Sequence, residues 1–249
     1  MAHKHLAVEN PRAPRAAIIH WLWASCLLLG ANLSSAEVLA PYTARYSTTA
    51  MGLGMTLNRQ LTVDEAGQYT LTNEGSVFVA SLKERSHFTI ADGHIRAQDF
   101  NYQLKGIVNR KRAVEFLKDQ GKIRSLRKKQ WTEHEWQPDI LDRLSQQEQL
   151  RLALMAADKP PKTLSFRVID GPRIKVRTLA FVGKETVSVE AGSFEAWQFE
   201  RVRDDDERAS NIWVAPSLDF LMIKTVHDEE GSVIAIELKS SSLLPADTE

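Results

Sequence analysis

From about residue 40 onward, apolar and polar side chains alternate. In Thr163–Asp170, Leu164, Phe166 and Val168 fall on one face and Ser165 and Arg167 on the other. Phe100, Tyr102 and Leu104 alternate with Asn101, Gln103 and Lys105, while Phe88 and Ile90, and Trp197 and Phe199, each share a face. A period of two marks strands with one face buried and the other wet. Turn residues separate the runs: Glu65-Ala66-Gly67, Asp92-Gly93, Gln120-Gly121, Asp170-Gly171-Pro172, Ala191-Gly192 and Glu230-Gly231. Asp and Gly tolerate the positive φ of hairpin turns. Their spacing is too short for helical crossovers, so the strands should pair antiparallel. The expected class is mainly β, a curved antiparallel sheet or half-barrel.

One segment breaks the pattern. Across residues 138–159, Ile140, Leu141, Leu144, Leu152 and Met155 recur near a helical period. This predicts one helix of about 20 residues, near 139–158, with Asp139 as N-cap and Pro160-Pro161 as the stop. It separates two β blocks, 40–137 and 162–241, with no Gly/Ser-rich or Pro-rich linker. The reading is therefore a single domain over 37–249, with the helix packed on or plugging an open face of the sheet. The tail, 243–249, is expected to fray.

The first 36 residues have a different character. Lys4, Arg12 and Arg15 precede a mostly apolar, uncharged run over 18–29, and Ser34-Ser35-Ala36 supplies small residues after it. The run is short for a membrane span of roughly 20 residues. It matches the 7–15-residue core of a cleavable signal peptide ending near Ala36. Such a signal directs the domain to the periplasm, where it is not an integral membrane protein after cleavage. Cys26, the one cysteine, lies inside the apolar run, with Trp23-Ala24-Ser25 before it and leucines after it. A lipid-anchoring signal places its cysteine after the run, so anchoring at Cys26 is not expected. Without Cys26 the exported chain has neither disulfide nor thiol chemistry.

The 249 residues, 43% apolar, suffice for a sizeable core, and the zero net charge gives no reason to expect a nucleic-acid binder. The charge is unevenly spread. Residues 105–129 hold ten basic and two acidic side chains, and 184–230 hold five basic and twelve acidic. Arg110, Lys111, Arg112, Arg127, Lys128 and Lys129 are the candidates for meeting an anionic envelope surface. The alternative is that the two charged stretches solvate outer strand faces or pair with each other.

Candidate chemistry is sparse. Ser86-His87 has acids nearby, but adjacent strand residues point to opposite faces, and no G-x-S-x-G occurs. Glu133-His134-Glu135 has one histidine where a zinc-protease helix needs two. Asp204-Asp205-Asp206-Glu207 lacks the spacing of a calcium loop and reads as a solvated turn. No catalytic residue, metal site or cofactor is expected. Aromatic residues, Phe78 and Phe220 among them, mostly fill a sheet core. A curled sheet can nevertheless leave an apolar groove. Its candidate lining is Tyr42, Tyr46, Phe88, Phe100, Tyr102, Trp197, Phe199 and Trp213.

Several short runs together carry a family likeness. They are Pro41-Tyr42 with Tyr46; Glu84-Arg85-Ser86, Phe88, Ile90 and Asp92-Gly93; Asp142-Arg143-Leu144-Ser145 with Gln147; and Gln149-Leu150-Arg151. Gly52 and Gly54, Gly183 with Glu185, Gly192-Ser193-Phe194, Ile212-Trp213-Val214-Ala215-Pro216, Lys224 and Asp228-Glu229-Glu230-Gly231 complete the set. Over about residues 40–240 the chain resembles the exported bacterial family known as domain of unknown function 3108. The resemblance implies a periplasmic fold similar to lipoprotein-carrier proteins and no assigned activity. The functional expectation is a non-enzymatic binding module for an apolar or amphipathic envelope ligand, lipid-like or anionic. The rival readings are a structural or protein-interaction component of the envelope, and a hydrolase with two carboxylates facing across a cleft.

Overall fold

The structure, a computed structural model, describes residues 39–50, 53–106, 108–202, 210–229 and 232–246. The N-terminal segment with Cys26, the acidic run 204–207 and the end of the tail lie outside the described residues.

The first β block supplies β1 (Tyr42–Ala50), β2 (Leu53–Val63), β3 (Tyr69–Val77), β4 (Ala80–Ala91) and β5 (His94–Gly106). It continues with β6 (Arg110–Leu117), β7 (Lys122–Arg127) and β8 (Gln130–Glu135). The short β9 (Ile140–Leu141) and the helix α1 (Ser145–Met155) follow. The second block supplies β10 (Thr163–Asp170), β11 (Arg173–Val189), β12 (Gly192–Val202), β13 (Ser210–Ala215), β14 (Leu221–Glu229) and β15 (Ser232–Ser241).

All fifteen strands join one open sheet, ordered β8 through β1, then β15 down to β9. The two blocks meet where β1 pairs antiparallel with β15, Ala44 opposite Ser241. Neighbours are antiparallel throughout except for β9, which lies parallel to β10 with Ile140 opposite Arg167. An antiparallel meander sends successive turns to alternate ends. The β1–β2, β3–β4, β5–β6 and β7–β8 turns therefore share one rim with the β10–β11 and β14–β15 turns.

The helix is eleven residues long rather than about twenty, because its N-terminal third is extended. Ile140 and Leu141 are almost completely buried as a strand, and Asp139 pairs with Arg167 at 3.1 Å instead of capping. The capping residue is Asp142. Its Oδ1 accepts the N–H groups of Leu144 (2.7 Å) and Ser145 (2.9 Å), and Ser145 Oγ accepts the Asp142 N–H (3.1 Å). This reciprocal exchange satisfies donors that the first turn leaves open. The helix ends at Met155, well before Pro160.

The inward strand face is filled. Leu61, Leu71, Phe88, Phe100, Ile123 and Leu238 are each about 1% exposed or less. Burial of each such side chain contributes roughly 1.5–3 kcal/mol. Tyr69 and Phe88 stack at 5.3 Å between ring centroids. A second cluster gathers Leu150, Leu154, Trp197, Phe199 and Val214. The tail does not fray from its start, since Leu243 and Leu244 pack against the main core. The halves also touch where no ladder joins them. Arg112 Nη1 lies 3.4 Å from Asp170 Oδ1, and a Cβ on Gly171 (φ +61°) would come within 2.4 Å of Arg127 Cδ.

Candidate functional site

Two polar constellations stand out, one buried and one open. The buried one fixes α1 inside the sheet. Glu148 is 0% exposed, and its two carboxylate oxygens receive Arg59 Nη2 and Arg151 Nη1, each at 2.7 Å. Tyr42 donates its hydroxyl to Glu148 Oε1 at 2.8 Å and accepts Arg59 Nε at 2.7 Å. Arg59 Nη1 reaches Gln147 Oε1 at 2.6 Å, and Arg151 Nε reaches the Asp219 carbonyl at 3.0 Å. Burial opposes ionisation of Glu148, but Arg151 and Arg59 outweigh it and hold its carboxyl below the usual range. Burial pushes the Tyr42 hydroxyl far up and the Tyr46 hydroxyl to about 12, so both stay protonated donors.

Neighbouring contacts extend this lock. Ser86 Oγ donates to Asp142 Oδ2 at 2.7 Å, tying β4 to the helix cap. Burial raises the Asp142 carboxyl, against the pull of its three donors. Gln149 accepts the Ile95 N–H at 2.7 Å and donates to the Gly93 carbonyl at 3.3 Å, holding the β4–β5 turn. Ser86 is therefore bonded to a helix cap rather than to His87, whose Nδ1 meets Asp99 at 2.7 Å on the other face. The runs around Tyr42, Ser86, Asp142 and Gln149–Arg151, which carry part of the family likeness, meet in this lock. The pattern of two puts Arg59 in an inward slot between Leu57 and Leu61. A charge in such a slot is the available signal.

The eight aromatic candidates are packing residues. Tyr42, Tyr46, Phe88, Phe100, Trp197 and Phe199 are buried, and Tyr46 donates to the Met222 carbonyl at 3.0 Å. Tyr102 lies half-buried under Arg112, whose guanidinium is 5.5 Å from the ring, and Trp213 Nε1 donates to Glu185 at 2.6 Å. None of the eight lines the surface grooves beside Arg45, beside Lys118 or between β6 and β7. Phe78, expected in the core, projects fully exposed from the β3–β4 turn.

The open constellation is the basic segment. Arg110, Lys111, Arg112, Arg127, Lys128 and Lys129 all line one groove of about 980 Å³, together with Lys105, Gln103, Asn109, Leu104 and Leu126. The groove has a local cause. The β6–β7 ladder stops at Ala113 opposite Leu126, one step before Arg112 would face Arg127. Like charges directly opposite destabilise a strand pair, so the strands part here. Burial lowers the Arg112 pKa, and the positive charges of Arg143 and Arg127 add to the effect. Arg112 is balanced by Asp170. Among the described residues, Lys105, Arg110, Lys111, Arg127, Lys128 and Lys129 have no ion-pair partner. Some cations elsewhere on the sheet are matched across strands, as in Lys83–Glu74, Lys122–Glu133 and Lys224–Glu237, while others such as Arg85 and Lys175 are not; the groove is distinct in gathering several unmatched cations in one place.

The β7–β8 turn adds a second sign. Arg127 pairs with Gln130, leaving Lys128 and Lys129 as a two-residue loop at φ 51° and 64°. The β4–β5 turn has the same geometry and fills it with Asp92 and Gly93. A left-handed conformation costs a residue other than glycine about 1–2 kcal/mol, and strain of this kind gathers at functional sites.

Among the described residues, no group of three or more histidines, cysteines or carboxylates is placed to hold a metal. No described helix is long and apolar enough to cross a membrane.

No curated protein matches the chain. Among solved structures, a "putative lipoprotein" from Parabacteroides distasonis ATCC 8503 is 11% identical, with 82% of this chain and 96% of that chain covered. Its TM-score is 0.32. The family described as "Protein of unknown function (DUF3108)" matches residues 42–238, from the tyrosine of the buried lock to the last core leucine of β15. The match spans nearly the whole described sheet and its helix, and the chain belongs to the DUF3108 family.

Proposed function

We propose that the chain is a non-catalytic binding module of the cell envelope, and that it holds an anionic amphipathic ligand in the groove between β6 and β7. The observation that carries this reading is a set of cations gathered around apolar side chains, of which only Arg112 has an acid partner among the described residues. Seven of the eleven lining residues are Lys or Arg, and none is acidic. Leu104 and Leu126 supply the apolar contact. Side chains of this kind suit a phosphate-bearing headgroup joined to an apolar portion. The interior is a poorer host, because the aromatic residues that would line it are committed to the core.

The envelope location rests on the first 36 residues, whose basic start, short apolar run and small residues match an export signal. Native mass spectrometry of protein recovered from the periplasm tests both parts. The expected spectrum shows a chain beginning near residue 37 with an added lipid-sized mass. A bare mass, with no uptake of added anionic lipid, would sink the ligand reading.

One observation favours a protein partner instead. Among the described strands β8 pairs with β7 alone, which leaves Gln130–Glu135 at an edge of the sheet beside Trp131, itself 41% exposed. Such an edge can accept an added strand. Co-purification of a protein that is lost when Arg127, Lys128 and Lys129 are reversed to Glu would support this second reading.

A further inference from the structure

The rim that carries the groove also carries apolar side chains that nothing covers. Phe78 is 104% exposed at the β3–β4 turn, and Val108 is 46% exposed at the β5–β6 turn. Leu53, 48% exposed, opens β2 beside the β1–β2 turn. Antiparallel order puts these turns at one end of the sheet, next to the β7–β8 turn with Lys128 and Lys129. The middle two turns are in contact. Gly106 pairs with Ala80, and a Cβ on Gly106 (φ +141°) would come 2.3 Å from the Val79 carbonyl oxygen. The two turns thus meet at their bases, and the exposed phenylalanine and valine stand on neighbouring turns of the rim, with Val108 next in sequence to the groove residues Asn109 and Arg110.

A soluble surface gains nothing by presenting a phenylalanine at a turn tip, where Gly, Asn and Asp are the usual occupants. Apolar tips beside lysines and arginines match a bilayer with anionic headgroups. The apolar side chains enter the headgroup–acyl boundary, and the cations meet the surface charge. The acid-rich stretch, 184–230, runs from β11 through β14 in the other half of the strand order, so the excess of cations lies in the β5–β8 sector. The geometry points to a peripheral membrane-docking face, made of Phe78 and Val108 with the groove cations, that seats the chain on an anionic lipid bilayer. This inference rests on the groove reading for its ligand and names the bilayer as the source.

The test uses the full chain and two probes. Vesicles of phosphatidylglycerol and phosphatidylethanolamine report docking, and monomeric dihexanoyl-phosphatidylglycerol reports the groove alone. The paired substitution Phe78→Ser with Val108→Ser should weaken vesicle binding at least about ten-fold, the scale set by losing burial of one aromatic side chain. It should leave monomer binding unchanged. The single substitution Phe78→Trp gives a local readout independent of the apolar N-terminal segment. The indole emission it adds should shift to the blue on anionic vesicles and be quenched by brominated lipid. Full vesicle binding by the double variant, or an added indole emission that stays unmoved on bound vesicles, would overturn the proposal. Monomer binding without vesicle binding would also overturn it, while leaving the groove reading intact. Tip-dependent vesicle binding without monomer binding would support the docking face and remove the groove.

Discussion

Arg59 Nη2 lies 2.7 Å from Glu148 Oε1, joining strand β2 to the helix inside the sheet, with the two side chains 5% and 0% exposed. A buried carboxylate between two guanidiniums is stable only while all three are present. Glu148→Ala leaves Arg59 and Arg151 facing each other without a counter-ion. Urea denaturation should show a loss of about 3–5 kcal/mol.

The same carboxylate gives the lock a pH signature. Its folded pKa lies below the unfolded one, so its stabilisation is fully present above the ordinary Glu value of about 4.3. That stabilisation is lost as pH falls through the folded value. The stability difference between wild type and Glu148→Gln should be flat from about pH 7 to about 5 and narrow below about 4. A gap that widens on acidification would show that Glu148 is not ionised in the folded chain.

Gln149 replaces a strand partner for the β4–β5 hairpin, accepting the Ile95 N–H at 2.7 Å. Gln149→Ala should make the Ile95 amide exchange with solvent at least about ten-fold faster, while the β11–β12 amides keep their protection. Unaltered Ile95 exchange would mean that the helix does not brace this turn.

The Lys128-Lys129 turn invites a trade between stability and binding. Replacing it with Asn-Gly suits its φ of 51° and 64° and should raise stability by about 1–2 kcal/mol. The same change removes two groove cations and should weaken anionic-lipid binding several-fold. A variant that is no more stable than wild type would show that the turn carries no strain.

Much of this architecture is legible along the chain, because a period of two follows directly from one-sided burial. The alternation around Phe100 and Val168 and the glycine-marked turns locate the strands. The sequence pattern overextends the helix because Ile140 and Leu141 fit a helical period equally well; their burial on both sides as β9 is a tertiary choice. Arg110–Arg112 and Arg127–Lys129 are recognisable as basic in sequence, but their meeting in one groove depends on where the β6–β7 ladder ends. Arg59, Glu148 and Arg151 are the reverse case. Charged residues read as solvated unless the partner on a distant element is known, and Arg59 finds Glu148 only once the sheet is bent around α1. Phe78 shows the same gap from the other side, since an aromatic residue at a turn tip is exposed whatever its hydrophobicity.

Titration of monomeric dihexanoyl-phosphatidylglycerol into the wild-type chain and into the Arg127→Glu, Lys128→Glu, Lys129→Glu variant tests the groove most directly. Saturable wild-type binding that weakens as salt rises, and its loss in a variant with unchanged circular dichroism, is the predicted result. Equal binding by both proteins, or none by the wild type, would contradict the assignment of this groove as the ligand site.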